Sequence, residues 1–215
     1  NHNATINSNT ISGNNGDGIR LNNYNENATI DGNTITDNGS IGINLDNEYN
    51  RNVSIQNNTI SGHDNNGIYF NNYNYGNIIG NLIYNNGSHG VYIYRMNDGS
   101  CVIRNNTIDG HTERGLYIRS NSESNYTFEV TNNSITNNVT GIYADNGNDY
   151  NTIAYNNCWN NSSNNYSGNL PDGTGNLTNI NANGTVSDQY YNISEYPLYI
   201  DQVNGDFSLQ VGSPN

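Results

Sequence analysis

The sequence predicts an all-β protein wound as a solenoid of parallel strands, and three observations predict it. Apolar residues return at a fixed step, the residues around them alternate with a period of two, and one Asn recurs at the same place in each repeat. Aligned on Asn-Thr-Ile, Ile11, Ile35, Ile60, Ile83, Ile108 and Ile135 fall in register at steps of 24, 25, 23, 25 and 27 residues. Five residues earlier stand Ile6, Ile30, Ile55, Ile78, Ile103 and Val130, and Ile153 continues that series before Cys158. Seven or eight residues later stand Ile19, Ile43, Ile68, Val91, Leu116 and Ile142. Each repeat therefore holds three short strands, and the spacing predicts about seven coils of about 24 residues forming three parallel sheets.

Each element has a local reason. Ile19-Arg20-Leu21, Ile43-Asn44-Leu45 and Ile68-Tyr69-Phe70 alternate inward and outward positions, as a half-buried strand requires. The corner between the first two strands carries Asn9, Asn33, Asn58, Asn81, Asn106, Asn133 and Asn156. Buried amides are costly unless bonded, and identical amides one rung apart bond to each other and to the corner backbone, so these are expected to form an internal ladder. The residue before each is Ser8, Gly32, Asn57, Gly80, Asn105, Asn132 or Tyr155. Gly and Asn suit a left-handed backbone there, and Tyr155 does not. Asn14, Asn38, His63, Asn86, His111 and Asn138 mark a second polar stack at another corner. Stacking is also how a chain only 32% hydrophobic, with roughly a quarter of its residues Asn, gains a core instead of remaining disordered.

The Asn ladder and the recurring Gly18-Ile19, Gly42-Ile43 and Gly67-Ile68 resemble the right-handed parallel β-helix proteins, among them pectate lyases, polygalacturonases, alginate epimerases, phage tailspikes and secreted or cell-surface repeat proteins. The resemblance covers residues 1 to about 160. Residues 161–215 read as an irregular extension with closing strands, Tyr196–Asp201 and Gly205–Leu209, forming a cap. The resemblance implies an extracellular or cell-surface location and a polysaccharide as substrate or partner.

A net charge of −13 with no basic stripe disfavours nucleic acid and anionic membranes as partners. No apolar run reaches the roughly 20 residues that span a bilayer. The chain opens in mid-pattern, so other modules of a longer parent are expected, and open solenoid ends suit end-to-end self-association.

On the third strand the outward column Arg20, Asn44, Tyr69, Tyr92, Tyr117 and Tyr143 runs beside Asn22, Asp46, Asn71, Tyr94, Arg119 and Asp145. Tyrosine rings bordered by amides, carboxylates and guanidinium groups suit a glycan, with Tyr69, Tyr92, Tyr94, Tyr117 and Tyr143 as the binding residues, although Tyr is also an ordinary strand residue. For a lyase, hydrolase or epimerase the candidates are His89, Asp46, Arg119 and Asp145, but Asp46 and Asp145 are four rungs apart, roughly 19 Å, and Arg119 is expected to pair with Asp145. No cofactor is called for. Asp145 and Asp149 are weak candidates for Ca²⁺, in what reads more simply as an Asn/Asp/Gly turn. Thr10, Thr34, Thr59 and Thr107 on the second strand form a broken array of the ice-binding kind, interrupted by Leu82 and Tyr84. Sequons at Asn3, Asn27, Asn38, Asn52, Asn86 and Asn192 are expected at exposed corners, and Cys101 and Cys158 inside as unpaired fillers.

Overall fold

The computed structural model describes residues 2–145 and 152–215, apart from the side chains of residues 97, 98 and 120–125. It is a parallel β-solenoid. The first sheet begins with Thr5–Asn7, Thr29–Asp31 and Val53–Gln56, the second with Thr10–Ser12, Thr34–Thr36 and Thr59–Ser61, the third with Ile19–Asn22, Ile43–Asp46 and Ile68–Phe70. Strands of these three sheets pair in parallel with their equivalents one turn on, so that Ile30 lies against Ile55, Ile35 against Ile60 and Ile43 against Ile68. The winding makes about six turns where seven were expected, because seven strand starts bound six intervals. The interior is three files of aliphatic side chains, with Ile30, Ile55, Ile78, Ile35, Ile60, Ile83, Ile43 and Ile68 fully buried. Each contributes about 1.5–3 kcal/mol by leaving water, and the alternation that places them inside also places every second residue on the surface.

The corners explain the composition. All seven residues that precede a ladder Asn adopt a left-handed backbone, from Ser8 at φ 54° to Tyr155 at φ 58°. The Asn after it turns inward. Asn58 Nδ2 donates to Asn81 Oδ1 at 3.0 Å and to the carbonyls of Ile30 and Gln56 at 2.9 and 2.8 Å, while its backbone N–H donates to the same Asn81 oxygen at 2.9 Å. Asn33, Asn58, Asn81, Asn106, Asn133 and Asn156 are buried, and only Asn9, at the open end, is exposed. The second stack is present as well, with His63 Nδ1 accepting from Asn38 N at 3.1 Å and His111 Nδ1 from Asn86 N at 3.2 Å. A third file, Asn25, Asn50 and Asn74, joins the third sheet to the first.

Beyond residue 160 the periodicity fades but the stacking continues. Asn164–Gly168 pairs with Thr140–Ala144, which puts Tyr166 below Ile142 on the core file. Asn156 passes the ladder to Asn192, 36 residues on, with Nδ2 to Oδ1 at 3.0 Å. The strands Tyr199–Asp201 and Asp206–Leu209 form an antiparallel hairpin that folds back over the second sheet. There Phe207 meets Tyr84 at 5.4 Å between ring centres, and Tyr199 Oη lies 2.6 Å from Ser134 Oγ.

Candidate functional site

The third sheet presents the tyrosine column. Parallel pairing sets Tyr69, Tyr92, Tyr117 and Tyr143 in register on four successive rungs, each half-buried. Their rings do not form one uniform stack. Tyr92 and Tyr117 lie face to face at 4.5 Å and 2°, Tyr69 is tilted against Tyr92 at 5.2 Å, and Tyr143 stands edge-on to Tyr117 at 5.5 Å and 72°. Arg114, a residue the spacing does not single out, causes the break: its guanidinium lies 4.4 Å from the centres of both Tyr117 and Tyr143. The faces of Tyr92 and Tyr117 are thus largely taken by ring and guanidinium.

Burial pushes the Tyr69 phenol up to about 12 and raises Tyr92; burial, then the Asp145 carboxylate, raises Tyr117. All three remain hydrogen-bond donors at neutral pH. Tyr117 Oη donates to Asp145 Oδ2 at 2.6 Å and Tyr69 Oη to Asn71 Oδ1 at 3.3 Å. Tyr94 stands edge-on to Tyr92, beneath the guanidinium groups of Arg95 and Arg119 at 5.0 and 5.2 Å.

The residues singled out for catalysis are engaged elsewhere. Asp46 is bonded to Arg20, which holds its carboxyl below the ordinary range. Arg119 Nε lies 3.4 Å from Asp145 Oδ2, the expected pair. His89 is buried between the edges of Tyr92 and Tyr117. Its Nδ1 accepts from Arg114 N at 3.2 Å and its Nε2 faces Glu113 Oε2 at 3.2 Å, leaving neither nitrogen for a substrate. Burial lowers it to about 4 despite the opposing pull of Glu113. Asp149 lies outside the described residues; among those described, no group of three or more His, Cys, Asp or Glu side chains converges as a metal site.

Other surface expectations are corrected. The closing hairpin and the chain end cover the later rungs of the Thr array, with Asn215 Nδ2 donating to Ser134 Oγ at 3.0 Å, so no flat ice-binding face exists there. Asn38 and Asn86 are tied into the second stack and Asn192 into the ladder, all buried, so those sequons are closed to modification in the folded chain, whereas Asn3, Asn27 and Asn52 are exposed. Cys101 and Cys158 are buried and unpaired, as expected. A corner column that the spacing announces but that the reading of strands passes over is Tyr24, Tyr49 and Tyr73, stacked at 5.3 and 5.4 Å.

A model of the right-handed β-helix region matches residues 1–129. The chain belongs to the right-handed β-helix family. No curated protein and no solved structure matches it. No helix among the described residues is long and apolar enough to cross a membrane. The fold is one that serves both structural proteins and enzymes, so the family alone does not choose between them.

Proposed function

We propose that this chain is a rigid scaffold module of an extracellular or cell-surface protein, and that its third sheet binds a glycan along Tyr69, Tyr92, Tyr94, Tyr117 and Tyr143. The observation that carries the reading is four half-buried tyrosines in register on one sheet, with Asp46, Arg114, Arg119 and Asp145 beside them. Sugar hydroxyls would bond to that row of phenols, guanidinium groups and carboxylates, and the exposed sequons Asn3, Asn27 and Asn52 accord with a secreted chain. The rival reading, an enzyme acting on an extracellular polysaccharide, needs two carboxylates about 5–9.5 Å apart for hydrolysis, and Asp46 and Asp145 lie four rungs apart. A glycan array followed by Tyr92→Ala and Tyr117→Ala tests the proposal. Loss of the array signal in both variants supports it; absence of any signal from the unmodified chain, or a signal indifferent to both substitutions, removes it.

A further inference from the structure

Across the triangular section from the third sheet, the corner that holds the Asn ladder borders a cavity of about 990 Å³, at the upper end of the range that small-molecule sites occupy. It lies where the closing hairpin and the turn at residues 181–183 arch over the last rungs. Its floor follows one column, the left-handed residues Asn105, Asn132, Tyr155 and Tyr191 on successive rungs. Tyr199, Phe207 and Leu209 supply an apolar wall, and Asn181 and Asn183 add amides. No lining residue is Asp, Glu, Lys, Arg or His, in a chain of net charge −13.

The two tyrosines are anomalous for this corner. Every earlier residue of the column is Ser, Gly or Asn, types that tolerate a left-handed backbone, yet Tyr155 and Tyr191 adopt it at φ 58° and 64°. Backbone strain of this kind concentrates where a side chain is needed in place. Strain alone decides nothing, since Tyr24, Tyr49 and Tyr73 share it elsewhere; here it coincides with a cavity. The rings of Tyr155 and Tyr191 are stacked at 5.2 Å and 7°, and both residues are half exposed. One face of Tyr155 is therefore covered by Tyr191, and the preceding positions of the same column, Asn132 and Asn105, are exposed.

We propose that this cavity is a binding site for a short, linear, uncharged oligosaccharide, with a sugar ring against the free face of Tyr155 and its hydroxyls on the amides of Asn132 and Asn105. An aromatic plate beside a run of amides, with no ionised side chain in the lining, matches a ligand that has apolar CH faces, many hydroxyls and no charge. The column rises by about 4.8 Å per rung, close to the advance of one pyranose unit along a polysaccharide chain. The site is independent of the tyrosine strip.

The test is calorimetric titration of the whole chain with neutral tetrasaccharides of glucose, xylose and mannose at millimolar concentration, read also by methyl and tyrosine-ring NMR. The expected result is binding of at least one of them, with shifts at Ala182, Ile193 and Leu209 while the Tyr92 and Tyr117 signals stay in place. Tyr155→Asn weakens that binding by about tenfold or more. Because Asn is what this column carries at positions 57, 105 and 132, the same variant melts at or above the wild-type temperature, which separates lost binding from lost folding. Affinity unchanged in both Tyr155→Asn and Tyr191→Asn, absence of binding by all three sugars, shifts confined to the third sheet, or a cavity that takes 1-anilinonaphthalene-8-sulfonate in their place would each overturn the proposal.

Discussion

Replacing Asn81 by Ala cuts the ladder at its middle, and the structure sets the size of the effect. Asn81 Nδ2 donates to Asn106 Oδ1 at 3.1 Å and to the carbonyls of Ile55 and Ile79 at 3.0 and 3.2 Å. Its Oδ1 accepts from the backbone N and the Nδ2 of Asn58 at 2.9 and 3.0 Å. Alanine removes all five bonds and orphans the buried Asn58 N–H. An unsatisfied buried donor costs about 1–3 kcal/mol and each of the other bonds about 0.5–1.5, with partial relaxation, so the loss should be about 3–5 kcal/mol. Asn9→Ala is the internal control. Asn9 is exposed and only donates, to Asn33 Oδ1 and to its neighbour Asn7, so its loss should cost under about 1 kcal/mol. Urea unfolding followed by circular dichroism measures both, and hydrogen exchange reads the Asn58 amide directly. Two variants of equal stability, or an Asn58 amide as protected in Asn81→Ala as in the wild type, would refute the ladder as a structural support.

Two further outcomes follow from the corners. Burial lowers His111 from 6.5 to about 4, so the unfolded chain takes up that proton first as the pH falls. The stability His111 contributes is complete above pH 6.5 and is lost on the way down to about pH 4, by an amount on the order of 2–3 kcal/mol. His111→Asn, the residue type its column carries at 86 and 138, should fold and flatten the pH dependence of urea unfolding between pH 7 and 4 by that much; an unchanged slope counts against the assignment. A Cβ on Gly67 would lie 2.6 Å from Ile83 Cγ2 and 2.7 Å from the Gly90 carbonyl, whereas one on Gly16 meets nothing within 4 Å. Gly67→Ala should therefore lower stability by about 1–3 kcal/mol and Gly16→Ala by under about 0.5, read as melting temperatures, and equal melting points would contradict this packing.

What the sequence makes legible is whatever the stacking repeats. Ile35, Asn58 and Gly67 each recur because the rung below imposes the same neighbour, so the strands and two amide files could be read from spacing alone, while the tight packing at Gly67 shows only in the structure. The tyrosine column was legible for the same reason. The contacts within it were not: Arg114, the first residue of its strand, lays its guanidinium over Tyr117 and Tyr143, and a side chain that arrives across a rung leaves no periodic trace. His89 shows the converse. Its type and position suggest a base, yet the backbone of Arg114 and the carboxylate of Glu113 occupy its nitrogens, and both partners come from the following turn.

The same logic explains why the end of the winding looks irregular in the sequence. The ladder has a direction, since each Asn donates to the oxygen of the next, and its last donors need an acceptor that no further repeat supplies. Asn192 receives them, and its own Nδ2 donates to Asp188 Oδ2 at 2.9 Å while its backbone N donates to Asp188 Oδ1 at 2.9 Å. Asp188 also takes Tyr190 N and Gly175 N at 2.8 and 2.7 Å. A carboxylate with no donor of its own can accept all of these and pass nothing on, which a further Asn could not do. The file of amides is closed chemically at Asp188, by a residue type that spacing cannot announce because it is needed only once.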